Sequence, residues 1–488
     1  MKSAAKETRT FRFARRFVRL LLQMFFREVE VVGLENVPSD RGGLFVSWHP
    51  NALVDPALIL ASTPRNVAFG ARHGLFSVPI LGSLMRAIGS VPIYRAHDRD
   101  SGETDERRQR NRNSLDQLAG RIAGGAWSVL FPEGESHDLP HPKVLKSGAA
   151  RLYYRARTIG GEGSPTPAIV PVGLHYDRKL FFRSRALVWF HPPLTVPACL
   201  DLTPPADEDD TSALARAGQL TEQIEASLSE AVHATEDWTI HRLLHRGRRV
   251  VQTESAAREG RKTGRPTVRE STEAFATIRR AYYLGKSAMP DRVRRMRSRM
   301  RSYDAQLRIL GIRDRDLDGR PSLGSPWLPI LLLLQAVFVF LLLPPVLLVG
   351  YVVNLPAAFF VSVLARQGAS KPKDIASLKI LIGSLVFPVS WVGAGVTAAL
   401  IESRLREAFP SLPAHPILIG VLITSFAILG GLMSLRYLRL SRETIGSLRI
   451  RLTRLRQRKT IQRLRTERSS LYDELLAIAS ALDAERVS

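Results

Sequence analysis

Between Trp327 and Tyr437 the chain carries three long apolar stretches, near residues 327–365, 378–401 and 415–435. A bilayer core about 30 Å thick takes roughly 20 apolar helical residues to cross, so the second and third stretches each suit one span. The first is nearly twice as long, and Pro344-Pro345 interrupts it, which predicts a hairpin of two spans, or a re-entrant pair, turning at the prolines. Buried helices of a soluble domain are the ordinary competing reading, and stretches this long argue against it.

The charge pattern supports the membrane reading. The chain of 488 residues has 70 lysines and arginines against 45 acidic residues, a net charge of +25. Nearly all the surplus sits in two blocks bracketing the apolar region: residues 241–320 hold 22 basic against 9 acidic residues, and residues 436–468 hold 12 against 2. With four spans, both blocks and the loop holding Arg366, Lys371, Lys373 and Lys379 lie on one side, and the nearly balanced 402–414 segment lies on the other. That obeys the positive-inside rule, whereas three spans would separate the two blocks. The expected topology places the soluble domain and both termini in the cytoplasm, facing anionic lipid. The membrane is an inner membrane if the chain is bacterial and of the endoplasmic-reticulum type if it is eukaryotic. Nucleic acid is not an expected partner, because the basic blocks lack interleaved aromatics and any recognisable nucleic-acid module.

The N-terminal segment does not read as a secretory signal, since Arg19 and Arg27 break its apolar run. Phe13, Phe17, Leu20 or Leu21, and Met24 recur at helical spacing among arginines, which suits an amphipathic helix in the membrane interface or, equally, a helix docked on the following domain. Near the other end, Leu464, Leu471, Leu475 and Ile478 form a seam that offers a helix-packing or self-association surface and so a route to a homo-oligomer. The expected organisation is therefore an amphipathic helix (1–28), a soluble domain (29–240), a basic helical or linker region (241–325), a transmembrane region (326–437) and a C-terminal amphipathic or coiled helix (438–488).

The soluble domain alternates short apolar runs (Leu44–Trp48, Ser128–Phe131, Ile169–Leu174) with helix-like segments around 57–62, 105–123 and 212–232. That alternation predicts an α/β domain with a mixed, mostly parallel sheet flanked by helices, in which sites gather at the carboxyl ends of strands. Four motifs follow candidate strands. In Trp48-His49-Pro50-Asn51-Ala52-Leu53-Val54-Asp55-Pro56, Asp55 is expected to cap a helix, and a carboxylate beside His49 can fix its tautomer and leave one ring nitrogen to accept a hydroxyl proton. A loop histidine near a capping aspartate is the ordinary alternative. In Gly89-Ser90-Val91-Pro92-Ile93-Tyr94-Arg95, Arg95 can present a fork of donors to phosphate, or be a surface arginine. In Phe131-Pro132-Glu133-Gly134, the proline and glycine specify a turn with a carboxylate at its tip, suited to gripping a hydroxyl, and Lys146 follows as a second cation. In Ile169-Val170-Pro171-Val172-Gly173, Pro171 either shapes a pocket wall or belongs to the core.

Taken in order, these four blocks resemble the pattern of the glycerolipid acyltransferase superfamily, over roughly residues 30–200. The closer likeness, in stretches such as His49–Pro56, Ile93–Asp98 and Phe182–Ala186, is to fungal-type glycerol-3-phosphate/dihydroxyacetone-phosphate acyltransferases. The resemblance implies a membrane-bound enzyme in phospholipid biosynthesis. It would transfer an acyl chain from acyl-CoA, or an acyl carrier protein, to glycerol 3-phosphate or dihydroxyacetone phosphate, with lysophosphatidate as the alternative acceptor. It implies that His49 is the general base, that Asp55 orients it, and that Arg95, Glu133, Gly134, Lys146 and Pro171 bind substrate. The widespread family spacing has four residues between the histidine and the aspartate; this chain, like the subgroup it resembles, has five. No cofactor is expected beyond the acyl donor, and no cluster has convincing metal-ligand spacing. The lone cysteine, Cys199, lies outside all four blocks. A non-catalytic lipid-binding scaffold is the competing class, although it would not need a proton acceptor.

Overall fold

The computed structural model describes residues 9–78, 81–94, 104–161, 163–205, 207–261, 266–318, 327–342, 347–369, 374–409 and 415–487. They form two compact units: Met1–His241 with Pro266–Glu273 and Lys371–Ser377, and Arg242–Arg265 with Ala274–Ser370 and Leu378–Ser488.

In chain order the first unit contains α1 (Arg9–Phe25), β1 (Glu28–Val32), β2 (Gly43–Ser47), α2 (Val54–Ser62), β3 (Val67–Arg72), α3 (Leu81–Ala87), β4 (Val91–Ile93), α4 (Thr104–Ala123), β5 (Trp127–Leu130), α5 (Gly148–Gly160), β6 (Ala168–Tyr176), β7 (Arg185–Phe190) and α6 (Asp210–Ala231). The strands make one seven-stranded sheet in the order β1-β7-β6-β2-β5-β3-β4. Every adjacent pair is parallel except β6–β7. This is the mixed, mostly parallel sheet that the alternation predicts. β2 lies at its centre and is buried along its whole length, as an apolar run without polar alternation requires. Leu44 and Val46 of β2 pack with Leu118 and Ile122 of α4, Leu152 and Tyr153 of α5, and Leu220 and Ile224 of α6.

Both readings of the N-terminal segment find a face on α1. Phe11, Ala14, Val18, Leu22 and Phe25 are buried, and Arg15 and Arg19 donate to the carbonyls of Thr63 (3.3 Å) and Ala61 (2.7 Å) at the carboxyl end of α2. Cations there satisfy carbonyls that the helix leaves unpaired. Phe13, Leu20 and Met24 remain exposed on another face.

At the β6–β7 end of the sheet, three buried or half-buried histidines gather. His175 stacks on His233 with ring centroids 5.3 Å apart, and His191 stacks on Trp189 at 5.1 Å. Burial first, then the neighbouring His233, pushes His191 down to about 4, and burial likewise pushes His175 well below the usual imidazole range.

The second unit is helical. It holds most of α7 (Trp238–Arg258) and α8 (Val268–Ala288), then α9 (Pro290–Leu310), α10 (Trp327–Val337) running into a π-helical turn at Phe338–Leu342, α11 (Leu348–Gly368), most of α12 (Ile375–Ala408), α13 (Pro416–Arg456) and α14 (Arg458–Val487). The basic region before the apolar stretches is thus helical rather than a loose linker. Its charge is partly consumed inside the fold: Arg468 of α14 is 2% exposed and donates to Glu254 (2.8 Å), to Asp318 (2.7 Å) and to the carbonyl of Asp314 (3.0 Å). Arg246 and Tyr303 also donate to Asp314, at 2.6 and 3.0 Å. The seam of Leu464, Leu471 and Ile478 is buried against Met296, Met300, Tyr303 and Leu307 of α9. Those leucines are therefore used within the chain, the helix-packing alternative of the two that their spacing offers.

α12 and the first part of α13, Pro416–Ser434, are long and apolar enough to cross a membrane. Large apolar side chains stand exposed along both, including Leu385, Val389, Val396, Leu400, Ile417, Val421 and Leu432. Pro344 and Pro345, the expected hairpin turn, lie outside the described residues. Among these helices Asn354 of α11 donates to the carbonyl of Ala427 in α13 (2.8 Å) and accepts from the indole of Trp391 in α12 (2.9 Å). A Cβ on Gly350 would lie 2.8 Å from Cα of Gly430, so glycine at both positions lets α11 and α13 touch backbone to backbone. Small residues and buried amides hold helices together where lipid removes the hydrophobic drive.

The histidine cluster makes the first unit acid-sensitive. An imidazole whose folded pKa lies below its unfolded 6.5 contributes stability above that value and loses it as pH falls toward the folded pKa. Unfolding monitored by fluorescence should show stability falling from about pH 6.5 toward pH 4. His191→Gln should flatten that fall; an unchanged acid profile would count against the assignment.

Candidate active site

The motifs meet at one edge of the sheet because the strands that carry them run in the same direction. β2, β5, β6 and β4 are mutually parallel through the ladder, so the segments after Ser47, Leu130, Tyr176 and Ile93 all leave from the same end. The middle three strands are neighbours, and their loops are in direct contact.

His49 follows β2. Its Nδ1 lies 2.8 Å from Oδ2 of Asp55, and its ring stacks on Phe131 with centroids 4.2 Å apart. The Asp55 carboxylate can only accept, so Nδ1 carries the proton and Nε2 presents a lone pair. Among the described residues Nε2 has no hydrogen-bond partner, and the side chain is 16% exposed. That is the condition of an imidazole ready to take a proton.

Asp55 is not the helix cap that its place before Pro56 predicts. α2 begins at Val54 with Leu53 as N-cap, and Asp55 sits in the first turn, fully buried. Its carboxylate turns back toward the loop, where it accepts from the Asn51 amide at 2.7 Å and from the hydroxyl of Tyr176 as well as from His49. Burial, then the charge of Asp55, pushes the Tyr176 hydroxyl well above its ordinary range, so it stays a donor. The extra residue between His49 and Asp55 is accommodated at Ala52, which adopts φ +41°. A left-handed alanine costs about 1–3 kcal/mol and persists only where the surroundings fix it.

Glu133 departs from the exposed turn tip expected of it. Its side chain is fully buried, and its oxygens accept from the amide of His49 (2.9 Å), the amide of Lys143 (3.0 Å) and Nε2 of His137 (2.6 Å). His137 Nδ1 accepts from the amide of Leu139 (3.1 Å), which assigns the proton to Nε2. The His137 amide donates in turn to the carbonyl of His49 at 3.0 Å. Glu133 therefore clamps the β2 and β5 loops together. Gly134 has φ +73°, and Nζ of Lys146 lies 2.8 Å from where a Cβ on Gly134 would stand. Lys146 is exposed, and its ammonium has no ion-pair partner among the described residues.

Pro171 is buried within β6, opposite Val46 of β2. The same strand buttresses the His49 loop: Ser47 Oγ donates to the Val172 carbonyl (2.8 Å), and the Trp48 indole donates to that of Leu174 (3.0 Å). Arg95 lies outside the described residues. β4, which leads to it, is pinned to α4 by paired bonds of 2.9 Å each between the Tyr94 backbone and the Asn111 side chain. Among the described residues no group of His, Cys, Asp and Glu could hold a metal ion.

Residues 28–175 match the acyltransferase family model, and residues 281–486 match the glycerol-3-phosphate acyltransferase 2 C-terminal domain. The chain is thus similar to an acyltransferase domain over its first part and to the glycerol-3-phosphate acyltransferase 2 C-terminal domain over its last. It is similar to an uncharacterized acyltransferase of Schizosaccharomyces pombe (24% identity, 36% of this chain, 38% of that one). It is also similar to glycerol-3-phosphate O-acyltransferase 2 of Saccharomyces cerevisiae (39% over 67 residues, 14% and 9%). A third relative is a chloroplastic 1-acyl-sn-glycerol-3-phosphate acyltransferase of Arabidopsis thaliana (30%, 22% and 28%). The matched region spans no more than 38% of these relatives' own lengths. The crystal structure of the 1-acyl-sn-glycerophosphate acyltransferase PlsC from Thermotoga maritima matches 45% of this chain and 79% of its own. That match is at 17% identity with a TM-score of 0.29, and no argument rests on it.

Tyr176→Phe removes one donor to a buried carboxylate. A hydrogen bond to a charged group is worth about 1.5–3 kcal/mol, so kcat should fall at least about tenfold. Because Tyr176 acts through Asp55, KM should change little. Steady-state kinetics would check this; wild-type kcat would show that the hydroxyl does not matter.

Proposed function

We propose that this chain is a membrane-bound O-acyltransferase that transfers an acyl chain from acyl-CoA, or an acyl carrier protein, to glycerol 3-phosphate in phospholipid synthesis. The observation that carries the proposal is the His49–Asp55 contact of 2.8 Å, with Nε2 left without a partner among the described residues at the carboxyl edge of the sheet. His49 Nε2 takes the proton of an acceptor hydroxyl, and the oxygen forms a bond to the thioester carbonyl carbon. The carbon–sulfur bond then breaks, and the departing thiolate takes the proton back from the imidazolium. Asp55 stabilises that imidazolium without itself being protonated. A thioester needs no further activation, so most of the remaining work is positioning.

The acceptor phosphate falls to cations at the same edge. Lys146 has no competing carboxylate among the described residues, and Arg95 follows β4. β4 stands three strands from β2, about 14 Å at the usual spacing. Glu133 serves this reaction by holding the His49 loop rather than by touching the acceptor. The match over residues 281–486 supports glycerol 3-phosphate as acceptor, while the Arabidopsis relative keeps lysophosphatidate as the second reading. α12, α13 and the exposed face of α1 would hold the site at the lipid surface, with the basic blocks on the cytoplasmic side.

The full chain, purified in detergent with radiolabelled acyl-CoA, decides between the acceptors. Labelled lysophosphatidate from glycerol 3-phosphate is the expected product. Phosphatidate formed only when lysophosphatidate is supplied would replace the acceptor and keep the chemistry. His49→Ala should cost about 10²–10⁴-fold in kcat with unchanged thermal unfolding, the usual contribution of a general base. Near-wild-type turnover would remove His49 from that role.

A further inference from the structure

The β6–β7 connection, residues 177–184, presents two aromatic side chains to solvent: Phe181 is 60% and Phe182 49% exposed. The chain is held firmly in that shape. Arg183 takes φ +59°, and its amide and guanidinium donate to the carbonyls of Phe25 (2.6 Å) and Gln23 (3.2 Å) at the end of α1. Phe182 meets Phe25, the last residue of α1, edge-on at 5.9 Å, and α1 exposes Leu20 and Met24 in its last turns. Cations surround it. Arg178 lies over the Phe181 ring at 5.5 Å, and neither Arg178 nor Arg183 has a carboxylate partner among the described residues. From Arg9 to Arg27 there are six arginines and no acidic residue.

Exposed phenylalanines with Arg178 and Arg183 beside them are costly in water and favourable where apolar and anionic layers meet. We propose that Phe181 and Phe182 form an insertion tip that enters the surface of an anionic bilayer and seats the His49 loop against it. The link to the loop is Lys179, between Arg178 and Leu180: its ammonium donates to the Pro50 carbonyl (3.2 Å), and its carbonyl accepts from the Asn51 side chain (3.3 Å). Docking the tip thus fixes the residues on the chain next to His49. The consequence for catalysis rests on the acyltransferase reading; the docking itself does not.

The single cysteine allows a direct test in the full chain. In a Cys199→Ser background, Phe182→Cys is labelled with the fluorophore NBD and the protein is reconstituted into vesicles of phosphatidylcholine and phosphatidylglycerol. Thr203→Cys, at an exposed position outside the helices and strands, is the aqueous control. Insertion 5–10 Å into the interface predicts a blue-shifted emission, about twofold quenching by lipids with a nitroxide at acyl carbon 5, and little quenching by iodide. The control should show the reverse. Phe181→Cys gives an independent reading should the first variant fold poorly. Quenching by iodide alone overturns the proposal, and so does protection from both quenchers, which would mean that protein covers the tip. Because the probe reports depth rather than turnover, an inactive chain with a lipid-quenched label would sink the catalytic reading and leave this one standing.

Discussion

The site is organised around one buried carboxylate. Asp55 has no access to solvent, and a buried charge is tolerable only when its lone pairs are met. Three groups meet them, from the loop after β2, from the backbone just ahead of α2 and from the end of β6. Oδ2 takes the His49 ring and the Asn51 amide and Oδ1 takes the Tyr176 hydroxyl, so one carboxylate places all three donors. The left-handed Ala52 follows from this arrangement: bringing the Asn51 amide and the His49 ring onto one carboxylate across five intervening residues leaves the chain nowhere else to turn. The strain is held because releasing it would leave the carboxylate without its donors.

A second carboxylate works in the same way for the neighbouring loop, with an imidazole on the opposite duty. His137 uses both ring nitrogens inside the protein, accepting from Leu139 and donating to Glu133. His49 uses only one and keeps the other for solvent or substrate. The two histidines are separated in role by how many of their nitrogens the fold satisfies. Exposure agrees: the His137 side chain is 4% accessible and that of His49 16%.

The strands β2, β5 and β6 were legible because apolar runs of strand length announce buried strands whatever their partners, whereas β1, β3 and β7 were not picked out. His49 and Asp55 were legible through their place after such a run, although the helix start was misplaced by treating Asp55 as a cap. A residue in the first turn whose side chain folds back looks the same in sequence as one that caps. Glu133 was read as a tip because Pro-Glu-Gly specifies a turn, and sequence does not show which way a turn's side chain faces. Tyr176 gave no local signal: it lies 121 residues from Asp55 and is brought there only by the β2–β6 pairing. Lys179 was equally silent, since its partners at Pro50 and Asn51 are 129 and 128 residues away. The leucine seam of α14 showed the opposite failing. Heptad-like spacing tells that a face is buried but not whether the partner is another chain or, as here, α9 of its own.

Net charge misleads in a similar way. The basic surplus of residues 241–320 and 436–468 suggests two free cationic surfaces, yet Arg246 and Arg468 are spent on Asp314, Asp318 and Glu254 in the interior of the second unit. Removing one partner from such a network leaves an uncompensated buried charge, a loss of about 3–5 kcal/mol, so these arginines are fixed by the fold and unavailable to lipid. The cations free to meet an anionic surface or substrate are those without such partners, among them Lys146 beside Gly134, and Arg178 and Arg183 at the aromatic tip. Which arginines matter for lipid is therefore settled by where the acids are: the net surplus of a stretch already subtracts each such pair, and the pairs decide which residues carry what remains.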